Sequence, residues 1–112
     1  MGVLRRDGKY LVIERNDGRG LSFPGGLSRP GEDAEKAMRR EVFEETGLTP
    51  TTAEFKFTYE AHDDIPVVVS VYEIKAEGML RGSWEGMPQW KPVEELRSRV
   101  IASQQPIVQT LQ

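Results

Sequence analysis

The stretch from Pro30 to Pro50 constrains this chain most, because it brackets one helix between strong boundary signals. Pro30-Gly31 closes a loop, and Glu32 and Asp33 place negative charge at the positive end of the helix dipole. Gly47 stands where a left-handed residue ends a helix, Leu48 is its apolar follower, and Pro50 blocks continuation. A helix over 33–46 is expected. On a wheel of about 100° per residue, Ala34, Ala37, Met38 and Val42 share one side. Glu41, Glu44 and Glu45 fall on that same side, while Glu35, Lys36 and Arg39 point away. An ordinary surface helix segregates its charges from its apolar stripe.

Carboxylates at i, i+3 and i+4 are neighbours that repel, and burial adds a desolvation cost. Such a cluster needs a cation among its members. With no lysine on that side, a divalent metal is the natural candidate, and all-oxygen donors suit Mg²⁺ or Mn²⁺ rather than zinc. The plainer alternative is a solvated acidic face.

Spacing bears on that choice. Five residues separate Gly26 from Glu32, and seven more lead to Arg40-Glu41-Val42-Phe43-Glu44-Glu45-Thr46-Gly47-Leu48. This resembles the signature of the Nudix hydrolases, Gly-x5-Glu-x7-Arg-Glu-U-x-Glu-Glu-x-Gly-U with U a bulky apolar residue, and every specified position matches. The resemblance implies Mg²⁺ (or Mn²⁺) held by Glu41, Glu44, Glu45 and the carbonyl of Gly26. It implies an ion pair between Glu32 and Arg40 that anchors loop to helix. It also implies an α/β/α sandwich, a mixed β-sheet between helices. Phe23-Pro24-Gly25-Gly26 reads independently as a turn whose glycines let backbone approach a ligand, or as a plain tight turn. It is not a phosphate-binding P-loop, since no Gly-Lys-Ser/Thr follows.

The coarse pattern agrees with an α/β (α+β) fold forming a single domain over 1–112. Gly2 to Arg6 and Lys9 to Arg15 flank Asp7-Gly8, a hairpin signal. Thr52 to Ala61 alternates, with Phe55, Phe57 and Tyr59 on one face, and Pro66 to Ile74 reads as the most buried strand. Pro88 to Lys91 is a short strand; Val93 to Arg99 and Ser103 to Leu111 read as helices. The first strand is short for the family, and a second subunit of a homodimer is one way to cover its edge.

Outside the helix, other residues have two readings each. Glu85 is a metal-site base or ligand, or a solvated loop residue. Arg15 meets a phosphate or is a surface charge. Trp84, Tyr59 and Phe23 stack on a base or pack in the fold. His62, in an Ala-His-Asp-Asp turn, reads as solvated, and Phe43 on the outer helix side asks for cover from a C-terminal helix or a partner. A net charge of −3 leaves no basic footprint, so no stable nucleic-acid complex is expected. The chain has no cysteine, no apolar run of membrane length and no signal-peptide pattern, so a cytoplasmic protein without membrane contact is expected.

The resemblance then implies a hydrolase of acid anhydrides in phosphorus-containing compounds. It would cleave the pyrophosphate of a small-molecule nucleotide, a nucleoside diphosphate linked to a moiety X, into a nucleoside monophosphate and phospho-X. Glu41 or Glu85 would take the proton of the attacking water. Oxidised nucleoside triphosphates, dinucleoside polyphosphates, ADP-ribose and nucleotide sugars all remain open as substrates. The competing class is a non-catalytic nucleotide-binding or regulatory module on the same fold.

Overall fold

The computed structural model describes residues 1–62 and 65–111. Strand β3 (Lys9–Arg15) is buried on both faces and organises half the molecule. Along one edge it pairs with β7 (Gly86–Lys91); its two ends take β2 (Arg5–Arg6) and β4 (Leu21–Ser22), all antiparallel. The second sheet has the order β1-β6-β5, with β1 (Gly2–Val3) parallel and β5 (Leu48–His62) antiparallel to β6 (Pro66–Gly78).

Helices cover both sides. Met38 and Val42 of α1 (Ala34–Thr46) pack on Leu4, Leu11, Leu48, Tyr72 and Ile74. On the other side Leu96 of α2 (Val93–Arg99), with Ile107 and Val108 of α3 (Gln105–Val108), packs on Tyr10, Val12, Leu21, Phe23 and Val71. Alternation along β3 sends Leu11 to one layer and Tyr10 and Val12 to the other. The result is the expected α/β/α sandwich.

Several expectations are corrected. The strand read over Gly2 to Arg6 is two strands. Either side of Leu4, the chain passes from pairing with β6 to pairing with β3, so the N-terminal segment ties both sheets together. The outer edge of β1 is met by the chain's own turn, where the Gly2 N–H donates to the Pro24 carbonyl at 2.8 Å. Phe55 does not share a face with Phe57 and Tyr59. A register shift between Phe55 and Phe57 turns Phe55 edge-on to Tyr72 in the α1 layer, while Phe57 and Tyr59 face the α2–α3 layer. The first half of β6 is not the most buried strand: Val68 is 70% exposed, because β1 pairs only at Tyr72 and Glu73 and only β5 flanks the earlier residues. The last helix is shorter than read. A 3₁₀ turn at Ala102–Gln104 precedes α3, and Gln104 (φ −111°, ψ 2°) breaks the continuity between them. His62 ends β5 and is exposed, its Nε2 3.0 Å from Glu60; Asp63 and Asp64 of its expected turn lie outside the described residues.

The ends of α1 form as the sequence indicates. Asp33 is the N-cap, its Oδ1 accepting the Lys36 N–H at 2.8 Å. Gly47 is left-handed (φ 81°), and its N–H donates to the Phe43 carbonyl at 2.9 Å. The loop after β6 completes the cap. Arg81 donates to the carbonyls of Phe43 and Glu44 at 3.2 and 3.4 Å, and its guanidinium lies 5.1 Å from the Phe43 ring. Cover for Phe43 therefore comes from an arginine rather than a C-terminal helix.

A Cβ at Gly47 would stand 2.5 Å from the Met79 carbonyl oxygen and 2.7 Å from Arg81 Cγ. Gly47→Ala therefore combines left-handed strain with a backbone clash, and should destabilise the fold by roughly 2–4 kcal/mol in urea denaturation. A loss below about 0.5 kcal/mol would mean that the helix end relaxes freely.

Candidate active site

The C-terminal half of α1 meets the Gly25–Gly26 turn. Glu45 is only 5% exposed, and the Gly25 N–H points at its Oε2 from 3.4 Å. One turn earlier, Glu41 lies directly beneath Gly26. A Cβ at Gly26 would stand 2.9 Å from Glu41 Cδ, so any larger residue there would displace the carboxylate. Burial first, then a hydrogen bond with Glu41, then the charges of Glu85 and Glu41 push the Glu45 carboxyl well above the ordinary range.

Electrostatics elsewhere on α1 depart from the expectation that only a metal could stand among the carboxylates. Arg40 Nη1 lies 2.8 Å from Glu41 Oε1 and 3.2 Å from Glu44 Oε2, and Arg29 approaches Glu44 at 3.7 Å. The wheel placed side chains by angle and ignored the reach of arginine, which curls along the helix to its own neighbours. Glu44 is consequently a surface group, its side chain 44% exposed. The same guanidinium grips Glu32 in a fork, Nε to Oε2 at 2.6 Å and Nη2 to Oε1 at 3.0 Å. Arg40 thereby holds the Glu32 carboxyl at about 2, helped by the Arg29 N–H.

Beside the turn lies a cleft of about 490 Å³ whose walls include Arg15, Asn16, Phe23, Glu45, Trp84, Glu85 and Gln104. An adjoining hollow of about 630 Å³ shares Met1, Arg15 and Gln104 and adds Gly26, Tyr59, Val67 and Val69. Arg15 is held by Asp17, which accepts from its Nε and Nη2 at 3.1 and 2.6 Å, and the charge of Glu85 also acts on it. Phe23 touches the cleft yet is 1% exposed and belongs to the core, whereas Trp84 stands on the rim, 85% exposed. The structure thus brings Arg15, Phe23, Glu45, Trp84 and Glu85 to one cleft, with Gly26 in the adjoining hollow and Glu41 against Gly26. Glu44 and the Glu32–Arg40 pair stand outside the cleft walls. Asn16, Asp17 and Gln104 escaped the sequence reading. Asn16-Asp17-Gly18 carried a turn signal, but Gln104, whose Oε1 accepts the Phe23 N–H at 2.6 Å, carried none.

Among the described residues no three His, Cys, Asp or Glu side chains already stand together as a metal-binding group. The donor chemistry still fits a hard cation. Glu41, Glu45 and Glu85 offer oxygen only, and the absent Cβ of Gly26 brings its backbone against the Glu41 carboxylate.

Fold and site together define an α/β/α domain with an acidic cleft built from one helix and a Gly-Gly turn. The NUDIX domain matches residues 1–111, and the chain belongs to that family. It is 38% identical over 68 residues to an ADP-ribose pyrophosphatase of Methanocaldococcus jannaschii, an alignment covering 58% of this chain and 40% of that protein. It is 45% identical over 47 residues to an RNA pyrophosphohydrolase of Serratia proteamaculans, covering 42% of this chain and 27% of that one. The chain thus spans less than half the length of these curated relatives. The crystal structure of a MutT NUDIX hydrolase from Burkholderia pseudomallei superposes with a TM-score of 0.87 at 21% identity, over 99% of this chain and 94% of that one, and shows the same fold.

A carboxyl whose folded pKa is raised is favourable below its ordinary value, near 4.5, and costs stability as pH rises from there towards the folded value. In EDTA the protein should therefore lose stability from pH 5 to pH 8. Glu45→Gln should remove that loss, the gap to wild type widening by at most about 1.4 kcal/mol per pH unit. Melting curves at both pH values check it; a wild type that gains on the mutant towards pH 8 would show Glu45 to be ionised without strain.

Proposed function

We propose that this domain hydrolyses the pyrophosphate bond of a nucleoside diphosphate linked to another moiety, with Mg²⁺ or Mn²⁺ as cofactor, releasing a nucleoside monophosphate and a phospho-product. The observation that carries this is a buried, strained carboxyl, Glu45, facing a cleft that also holds a fixed guanidinium and a second carboxylate. A strained acid group in a cleft has its natural relief in a divalent cation. The names of both relatives specify a pyrophosphate bond, which supports the same reading.

Glu41, Glu45 and the Gly26 carbonyl would hold the metal, which when bound neutralises diphosphate charge and acidifies water. The side chains of the domain do the rest. Arg15, held in a fixed pose by Asp17, offers its remaining N–H groups to a phosphate oxygen. Glu85 takes the proton of the attacking water. It is the better placed of the two candidate bases, because Glu41 is engaged by Arg40 and Glu45, whereas Glu85 makes no salt bridge among the described residues. Glu44, turned towards Arg40 and Arg29, would join the metal only after a side-chain rotation. Tyr59, Val67 and Val69 in the adjoining hollow offer an apolar wall for the nucleoside or the X group. Among the described residues no helix is long and apolar enough to cross a membrane.

Purified protein with millimolar Mg²⁺ at mildly alkaline pH should release phosphorylated products from at least one member of a panel holding ADP-ribose, nucleotide sugars, dinucleoside polyphosphates and oxidised nucleoside triphosphates. EDTA should abolish that turnover. Nucleotide binding without metal-dependent turnover across the panel would point to a binding module instead.

A further inference from the structure

The carboxylate of Glu85 sits on a short turn, and something outside the turn must fix it. Within the turn, the Ser83 N–H donates to the Gly86 carbonyl at 3.0 Å, the Gly86 N–H returns to Ser83 at 3.2 Å, and Ser83 Oγ accepts the Glu85 N–H at 3.2 Å. These bonds shape the turn without locating it. Its end is located where Gly86 pairs with Arg15 in the β3–β7 ladder, and its middle by Asn16, the residue immediately after β3. Its backbone N–H donates to the Glu85 carbonyl at 2.9 Å, and its side-chain Nδ2 donates to the Trp84 carbonyl at 2.9 Å. Any residue but proline could make the first bond. The second needs a short side chain ending in an N–H donor, and Asn meets that need with little freedom to lose. Two successive carbonyls of the Glu85 turn are thus held by one residue, which also lines the cleft beside Arg15.

We propose that Asn16 is the positioning residue for Glu85: its side-chain amide fixes the turn that keeps the Glu85 carboxylate in the cleft with Glu45 and Arg15. This rests on the reading of Glu85 as the group that acts on the attacking water. Without the Nδ2 bond the Asn16 backbone bond and the ladder pair Arg15–Gly86 still hold the end of the turn, but Trp84 loses its tether. The carboxylate then spends less time in the productive place, and turnover falls while ground-state binding is kept.

The test is a double-mutant cycle on the intact protein with Mg²⁺ and a nucleoside diphosphate substrate that it turns over. It is paired with hydrogen exchange over residues 82–87. Asn16→Ala and Asn16→Asp, which both lack the Nδ2 donor, should lower kcat about tenfold, with KM within about twofold and melting temperature unchanged. Both should speed exchange in the turn. Glu85→Gln alone should lower kcat by about 100-fold or more. Adding Asn16→Ala to Glu85→Gln should cost nothing further, because the group being positioned is already lost. If Asn16→Ala still lowers turnover in the Glu85→Gln background, or raises KM alone, Asn16 contacts substrate and the proposal is wrong. Unaltered exchange in the turn overturns it as well. Unaltered kcat in Glu85→Gln overturns the reading of Glu85 itself, whereas an impaired Glu85→Gln beside a normal Asn16→Ala overturns only the positioning role.

Discussion

Arg40 makes close contacts with three carboxylates and one backbone carbonyl: Glu32, Glu41, Glu44 and Leu27. Through Glu32 and Leu27 it fastens the loop that follows the Gly-Gly turn to the middle of α1. That loop has few apolar side chains of its own, and Leu27 is largely exposed. The guanidinium fork therefore substitutes for the hydrophobic packing that would otherwise locate it. With the loop fixed, Gly26 comes to rest on Glu41 and Gly25 on Glu45. The acidic cleft follows from that contact.

The same guanidinium divides the glutamates into two kinds. Glu41 and Glu44 have a permanent cation beside them. Glu45, on the far side and buried, makes no salt bridge among the described residues, and burial together with its hydrogen bond to Glu41 pushes its carboxyl above the ordinary range. A cation arriving in the cleft would stabilise the ionised Glu45 without competing directly with Arg40 for it. A metal bound beside Glu45 would relieve that burial.

What was legible in the sequence was whatever rests on local backbone chemistry. Asp33 and Gly47 end α1 as their types require, Asp7 and Gly8 both take the positive φ of a tight hairpin turn, and Glu32 meets Arg40 across two helical turns. What was not legible depends on partners distant in sequence. The register shift near Lys56 that separates Phe55 from Phe57 is set by pairing with β6. Leu4 carries no mark of the change of sheet around it. A helical wheel could not show that Arg40 would turn towards Glu44 and leave it at the surface. Asn16 and Gln104 act on residues 68 and 81 positions away, and no spacing rule reaches that far.

If a divalent cation binds this domain, the buried carboxyl of Glu45 is the group it should depend on most. Mn²⁺ binding followed by electron paramagnetic resonance of the free ion tests it without needing a substrate. Altering groups that merely orient metal ligands already costs about 10–100-fold in affinity, so Glu45→Gln should weaken Mn²⁺ binding by at least that much. Glu44→Gln, at the surface and paired with arginines, should weaken it several times less. Equal loss in the two variants, or wild-type affinity in Glu45→Gln, would contradict the account and move the metal away from the buried carboxyl.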